Sequence, residues 1–278
     1  MSMRIMNNVE AAFAHRNLTN TNLALSKSLQ KLSSGYRINS ASDDAAGLAI
    51  SEKFRTQING LDQSKKNIMD GISLLQTAEG GLSEVHSILQ RLRVLSIQAS
   101  NDTLTTSDRN MIQQEVTQLI CEVDRMNSTV TFNTINLFRL NGTTPSGTGS
   151  VTIHVGADKS QSLTVTLTAV SSTNLSISTI SLTSAAGAEA AISSLTNAIN
   201  NISNKRARIG AMQNRLEHTY NFVGISRENQ MAAESRIRDV DFADEMINFT
   251  KTQILAQAGN SMLAQANLRP QSVLQLLG

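Results

Sequence analysis

Side chains that could carry acid–base or metal chemistry are few in this chain and stand singly. The histidines share no HxH, HxxxH or His–Cys spacing that would hold a metal ion; they are His15, His86, His154 and His218. The carboxylate doublet Asp43-Asp44 directly precedes the helix-like stretch AAGLAISEKF. Because an aspartate at a helix start accepts hydrogen bonds from free backbone N–H groups, we interpret the doublet as a helix N-terminus. The sequence therefore predicts no catalytic residue, metal or cofactor, and indicates that the protein is not an enzyme.

Cysteine, glycine and arginine patterns also favour structural roles. Cys121 is the one cysteine, which excludes an intrachain disulfide, and its helical apolar surroundings predict a small packed side chain. Gly80-Gly81 lacks the strand–turn–helix context of a phosphate loop. Basic residues such as Arg91 and Arg206 have acidic neighbours and no interleaved aromatics, and the net charge is only +2. We therefore expect no nucleic-acid partner.

The composition describes a long helical molecule rather than a thick core. The 278 residues include seven Phe, two Tyr, two Pro and no Trp. Because aromatic side chains carry much of the buried area of compact cores, we predict an elongated, mainly α-helical architecture. No stretch approaches the roughly 20 apolar residues of a membrane span, so membrane insertion is not expected. The N-terminus also lacks an apolar segment of signal-peptide length.

Two long segments carry heptad repeats. The first repeats an apolar residue every seven positions: Leu61, Ile68, Leu75, Leu82 and Leu89. A shorter helix should follow it, with Ser107 or Asp108 as the N-cap. A second seam runs from Ile192 to Val223, interrupted by Arg206 and Gln213, which are polar residues able to set register. Because the two seams are far apart in sequence, the pattern predicts an antiparallel helical bundle or coiled coil.

The middle of the chain has the period of strands. Apolar residues alternate with polar ones in 151–155 and in 163–167, and GADKSQS lies between them as a hairpin turn. A weaker alternation at Leu175 and Ile177 predicts a third strand. A disordered Ser/Thr-rich linker is the competing interpretation, but it does not explain the alternation.

The two ends of the chain are apolar without a matching charged face. Leu18, Leu25 and Leu32 repeat at sevens with Leu29 between them, and Arg269 is the only charged side chain in 253–278. Such a helix leaves apolar surface in water whichever way it turns, and surface of that kind marks an interaction site. We therefore expect the two terminal helices to pair and still expose a binding surface.

Long motifs at both ends resemble one protein family. They are KLSSGYRINSASDDAAGLAISEKFRTQINGL (31–61), DGISLLQTAEGGLSEVHSILQRLRVLSIQASN (70–101), NRLEHT (214–219), AAESRIRDVDFADEM (232–246) and LAQANLRPQSVLQLLG (263–278). These segments resemble the N- and C-terminal regions of bacterial flagellin, the subunit of the helical filament used for swimming motility. The match covers about 1–140 and 200–278, so it brackets a short variable middle.

The resemblance implies a two-layer flagellin. An inner layer called D0 would comprise the N-terminal helix and spoke, 1–43, and the C-terminal helix, 237–278. The next layer, D1, would contain N-terminal helices in 44–140 and a C-terminal helix in 185–236. Its variable β-hairpin region would be 141–184, with no separate outer domain.

The same resemblance implies partners and contact residues. The chain would form a homopolymer through polymer-core contacts at Leu18, Leu25, Leu29, Leu32, Ile254, Leu255, Met262, Leu263, Leu274 and Leu277. An export chaperone would bind the C-terminal segment, and hook-associated junction and cap proteins would contact the filament. Type III export would deliver the chain to the extracellular flagellum without a cleaved signal peptide. Some flagellins are recognised by a Toll-like innate receptor, and the matching positions are Gln90, Arg91, Leu95 and Glu115.

Two alternatives share the helical ends. A flagellar hook–filament junction protein would occur as a few copies in a ring, and the match to 263–278 with the short middle argues against it. A coiled-coil scaffold or membrane-active translocator would also expose amphipathic helices, but the chain lacks a basic amphipathic face.

Overall fold

The computed structural model describes residues 8–138 and 150–277, with side chains in the last helix as far as Arg269. This part of the chain is mainly helical, as predicted, and also contains two small antiparallel strand pairs. The elements in chain order are α1 (Val9–Ser34), α2 (Ala45–Ala99), α3 (Thr106–Thr129), β1 (Thr131–Phe132), β2 (Ile135–Asn136), β3 (Ser150–His154), β4 (Ser162–Thr166), α4 (Ala185–Arg238) and α5 (Phe242–Leu277).

The chain divides into two compact units. Unit 1 comprises Met1–Thr56 with Asn229–Gly278, and unit 2 comprises Gln57–Glu228. Helices α2 and α4 contribute residues to both units.

The predicted heptad seams form the core of unit 2. The five predicted seam residues of α2, from Leu61 to Leu89, are all buried. They share one apolar cluster with the buried seam of α4, whose members are Leu195, Ile202, Ile209, Leu216 and Val223. The Lys65 ammonium lies 4.7 Å from the Tyr220 ring centroid, and Glu79 pairs with Arg206, so the two helices run antiparallel. The bundle prediction is confirmed for this unit.

The two polar interruptions of the α4 seam meet the same carboxylate. Arg206 Nη2 lies 3.6 Å from Glu79 Oε1, and Gln213 Nε2 donates to Glu79 Oε2 at 3.4 Å. A one-heptad slip of α4 would move both groups away from Glu79 and leave this half-exposed carboxylate without them. These residues therefore specify register more than they add stability.

Helix α3 begins earlier than predicted, and its cysteine is exposed rather than packed. Its N-cap is Thr105, whose side chain accepts from the Asp108 N–H while the Asp108 carboxylate accepts from the Thr105 N–H. The Thr105 hydroxyl, which donates to the Asp108 carboxylate at 2.7 Å, and the Thr105 N–H together hold the pKa of Asp108 below its ordinary value. The predicted packing of Cys121 is wrong, because the side chain is exposed. Five residues separate it from the buried Val116, about 140° round the helix, so it faces away from the core.

The predicted hairpin is confirmed. Strands β3 and β4 pair antiparallel with Ile153 opposite Leu163, and both side chains are buried. The hairpin lies against α2, since Ser64 Oγ donates to the Gly156 carbonyl at 2.7 Å and Asn67 Nδ2 donates to the His154 carbonyl at 3.3 Å.

The predicted third strand is wrong, although Leu175 and Ile177 are buried. The segment around them forms turns, in which the Ile177 N–H donates to the Ser172 carbonyl at 2.9 Å. Ser172 is in turn held by Asp124 of α3, which accepts from its N–H at 2.8 Å and from its hydroxyl at 2.7 Å. A side chain of α3 therefore accepts a backbone hydrogen bond that a neighbouring strand would otherwise have accepted.

Strands β1 and β2 form a second hairpin, which the sequence analysis missed. Its turn residues Asn133 and Thr134 both have positive φ, at 47° and 67°. Such a turn normally contains glycine at its second position, so the Asn-Thr pair gave no recognisable hairpin signal.

Gly80 and Gly81 of α2 should respond in opposite ways to alanine. A Cβ on Gly81 would lie 2.8 Å from Phe138 Cε2, a buried ring, whereas a Cβ on Gly80 would meet nothing within 4 Å. We expect Gly80→Ala to raise the free energy of unfolding by about 0.5–1 kcal/mol through higher helix propensity. Gly81→Ala should lower it by about 1–3 kcal/mol through overpacking. Urea unfolding measures both, and equal effects would contradict the described packing.

Candidate interaction surface

The terminal helices pair antiparallel in unit 1. Near one end of the pair, Asn8 caps α1 by accepting from the Ala11 N–H and donates its side-chain amide to the Ala266 carbonyl at 2.9 Å. At the other end, Lys31 Nζ lies 3.6 Å from Glu245 Oε2. Between them, a Cβ on Gly259 would lie 3.1 Å from Leu18 Cδ1, so the helices approach closely there. The predicted pairing of the N- and C-terminal helices is confirmed.

Two backbone hydrogen bonds join the α1–α2 connection to the α4–α5 connection in unit 1. Gly35 ends α1 with φ of 75°, and its carbonyl accepts from the Val240 N–H at 3.0 Å. The Arg37 N–H donates to the Arg238 carbonyl at 2.7 Å. The Arg238 guanidinium lies 2.6 Å from Glu52 Oε1 and stacks on Tyr36 at 4.8 Å. These contacts hold the end of α1 beside the start of α5, and so fix where the two helices begin to pair.

The α1–α5 pair has almost no core of its own. Among the described side chains of α1 and α5, Ala256 is the one buried apolar residue, and Ser28 and Glu245 are the buried polar ones. Burial of a full Leu or Ile side chain contributes about 1.5–3 kcal/mol, so an alanine supplies little of what a helix pair needs. The pair therefore lacks internal stabilisation of the kind found in unit 2.

One side of α5 exposes several large apolar side chains, with the exposed Lys251 among them. Ile247, Ile254, Leu255 and Met262, here called the outer α5 face, are 65%, 62%, 49% and 66% exposed. By the helical repeat of about 100° per residue, these four residues lie roughly 100–180° round the helix from Ala256. Apolar exposure continues on α1 at Val9, Phe13 and Leu23. Exposed surface of this extent marks a site for another macromolecule.

The structure separates the predicted polymer-core contacts into two groups. Leu18, Leu25, Leu32 and Leu263 are half-buried on the sides where α1 and α5 face each other. Leu29, Ile254, Leu255 and Met262 are exposed. The side chains of Leu274 and Leu277 lie outside the described residues. Four further exposed residues were not predicted from the sequence, although their place opposite the heptad positions could have indicated them: Ile247, Val9, Phe13 and Leu23.

The residues matched to receptor recognition lie in unit 2. Gln90 and the ion pair of Arg91 Nη2 with Glu115 Oε1, at 2.8 Å, are exposed. Leu95 is 2% exposed and belongs to the helical core. The first three side chains thus share an exposed α2–α3 surface that the side chain of Leu95 does not reach.

The carboxylates considered as possible catalytic groups accept hydrogen bonds at a helix start and in a turn. Asp44 accepts from the Gly47 N–H at 2.9 Å at the start of α2, as interpreted. Asp43 accepts from the Ser40 N–H at 3.1 Å and from its hydroxyl at 3.0 Å, and these bonds lower the pKa of Asp43. Within 8–138 and 150–277, no group of three or more His, Cys, Asp or Glu could hold a metal ion. No helix in those ranges is long and apolar enough to cross a bilayer.

The fold and this surface define a class of protein. An antiparallel helical bundle carries a terminal helix pair that exposes apolar surface and has little core, which is the arrangement of a self-associating structural protein.

Comparison with known proteins identifies the family. Residues 5–143 match the bacterial flagellin N-terminal helical region, and residues 192–277 match the bacterial flagellin C-terminal helical region. Flagellin of Halalkalibacterium halodurans is 49% identical over 99% of this chain and 100% of that protein. Flagellin FlaB2 of Treponema pallidum is 45% identical over the same shares.

Solved structures agree with this match. The crystal structure of Bacillus cereus flagellin has 30% sequence identity and a TM-score of 0.50, covering 56% of this chain and 88% of that one. A Vibrio parahaemolyticus chain assigned to the flagellar hook-associated proteins has a TM-score of 0.58 over 71% of this chain, but at 16% identity it shows the fold alone.

The chain belongs to the bacterial flagellin family. It is a structural subunit of the flagellar filament outside the cell, associates with copies of itself, and is not an enzyme.

Proposed function

We propose that copies of this filament subunit bind one another through the outer α5 face and the exposed side of α1. The observation that carries the proposal is the combination of an almost coreless α1–α5 pair with exposed Ile254, Leu255 and Met262. Leu29 would add to the same contacts, and Leu274 and Leu277 would extend them. Leu18, Leu25, Leu32 and Leu263 would hold the intrachain pair in which the surface is presented.

Energetics support coupled ordering and assembly. Fixing the backbone of one residue costs about 1–2 kcal/mol, and the buried apolar area between α1 and α5 offsets little of that cost. Neighbouring copies would supply the missing burial, so the terminal helices become stable as the polymer forms. A head-to-tail contact whose rotation does not close generates an open helical fibre.

The proposed layers follow from the difference in core size between the α1–α5 pair and unit 2. Residues 1–43 and 237–278 would form the inner layer. Residues 44–140, 141–184 and 185–236 would form the next one. The small core of α1 and α5 and the extensive core of unit 2 support this assignment.

Further partners are proposed from the family resemblance. An export chaperone would cover the C-terminal segment before type III export, which would require no cleaved signal peptide, and the apolar α5 surface supports such a need. Hook-associated junction and cap proteins would contact the filament ends. A Toll-like receptor would contact Gln90, Arg91 and Glu115, whose exposure supports the proposal, with Leu95 contributing by packing the helix that carries them.

Deletion of residues 254–278 tests the proposed assembly surface. The truncated chain should keep the helical circular dichroism of unit 2 and remain monomeric, because the unit 2 core lies outside the deletion. Electron micrographs of concentrated protein should show long filaments for the full chain and none for the truncated one. Filaments of normal appearance from the truncated chain would refute the proposal, and short rings from the full chain would favour the junction-protein alternative.

A further inference from the structure

A cavity of about 310 Å³ opens on unit 2 between α2, β4 and α4. Its apolar wall includes Leu75, Leu82 and Phe138, all buried. The hydroxyl-bearing side chains of Thr166 and Thr168 also line it. A volume near 300 Å³ with an apolar wall and a few polar groups is at the small end of the range for ligand sites.

Three cationic residues of α4 line one wall of this cavity. Lys205, Arg208 and Arg215 of α4 all line it, and no aspartate or glutamate is among its lining residues. The Lys205 ammonium donates to the Ala169 carbonyl at 2.7 Å, a neutral partner, and its burial lowers the pKa of Lys205. Arg208 and Arg215 form no ion pair within 8–138 and 150–277. The cavity therefore gathers positive charge that these residues leave unneutralised.

The sequence between two residues at the cavity, Phe138 and Ser150, contains no carboxylate. Phe138 lines the cavity, and Ser150 pairs with Thr166 at its edge. The stretch between these positions, 139–149, reads RLNGTTPSGTG and contains an arginine but no acidic residue. A negative charge for this site must therefore come from elsewhere.

We propose that this cavity binds a small organic anion with an apolar body. A carboxylate or phosphate group of the ligand would accept hydrogen bonds from Arg208 and Arg215, since charge-assisted bonds to such groups are the strong ones. Its apolar body would lie against Ala211 and Met212, the apolar lining residues that are not buried. All the residues that line this site belong to unit 2, and none belongs to α1 or α5.

Titration with octanoate tests the proposal on the full-length chain, below the concentration at which it assembles. Amide NMR signals of Thr166, Thr168 and Ile209 should shift together and saturate, and 1-octanol, with the same apolar body but no charge, should bind at least about tenfold more weakly. Octyl phosphate serves as the second headgroup, and saturable shifts with either anion support the site. Equal binding of octanol and octanoate, or shifts confined to α5, would overturn it.

Arginine variants test whether octanoate binding requires the positive charges of the cavity. Arg208 and Arg215 are exposed, so the double variant R208Q/R215Q should fold normally by circular dichroism and bind octanoate about tenfold or more weakly. The control R93Q removes an exposed arginine of α2 that does not line the cavity, and should bind as the parent does. Unchanged binding by R208Q/R215Q, or an equal loss in R93Q, would contradict the proposal.

Discussion

Replacing Ile254, Leu255 and Met262 together by glutamine is expected to raise the critical concentration for filament growth by at least about a hundredfold. Each side chain is half to two-thirds exposed in the single chain. Burying that surface between copies would contribute on the order of 1–2 kcal/mol per residue, or about 3–6 kcal/mol per subunit, which corresponds to a factor of about 10²–10⁴. Sedimentation of filaments from monomer over a concentration series measures the change.

The variant should leave the single chain intact. Glutamine is a good helix former, and none of the three side chains packs in the described core of unit 1 or unit 2. The matched control changes Gln253, Gln257 and Asn260 to serine, exposed polar residues on the same turns of α5. It should assemble at nearly the parental concentration. If the glutamine variant assembles as readily as the parent, or the serine control loses assembly equally, the outer α5 face is not the apolar contact.

Ile202→Ala should lower the free energy of unfolding by about 2–5 kcal/mol. Ile202 is 0% exposed in the α4 seam and belongs to the apolar cluster of unit 2. The loss combines the transfer free energy of the deleted methyl and methylene groups with the cavity that remains. Urea unfolding followed by far-ultraviolet circular dichroism, on the non-assembled chain, reports the effect.

Ile225→Ala on the same helix is the matched control. Ile225 is 61% exposed, so the same deletion removes little buried area and should change the free energy of unfolding by less than about 0.5 kcal/mol. Similar losses for the two variants would mean that the helix does not turn its seam inward as described.

The long-range pattern of unit 2 could be predicted because burial repeats along it. Five α2 positions at sevens predicted the seam, and the alternation around Ile153 and Leu163 predicted the hairpin register. In both places the period of the backbone matches the period of the apolar residues, so local pattern and tertiary packing agree.

Features set by individual side-chain partners could not be predicted in this way. Leu175 and Ile177 alternate like a strand, yet Asp124 and local turns take up the backbone hydrogen bonds of that segment. The capping box selected Thr105 over two later candidates. Cys121 lies between apolar residues in sequence but opposite them on the helix.

The sequence could not separate the apolar residues of the terminal helices that face their own chain from those that would face a neighbouring copy. Leu18 and Ile254 have the same chemistry, and hydropathy does not tell whether a leucine or isoleucine faces its own chain or a neighbouring one. Only the geometry of the α1–α5 pair assigns Leu18 to the inner side and Ile254 to the outer α5 face.

Amide hydrogen exchange along α5, measured in dilute monomer and in assembled protein, tests the dependence of the terminal helices on other copies. The thin α1–α5 core predicts that amides of 247–269 exchange much faster in the monomer than those around Ile202, and become strongly protected after assembly. Protection of 247–269 in the monomer equal to that of the α4 seam, and unchanged by assembly, would contradict the account.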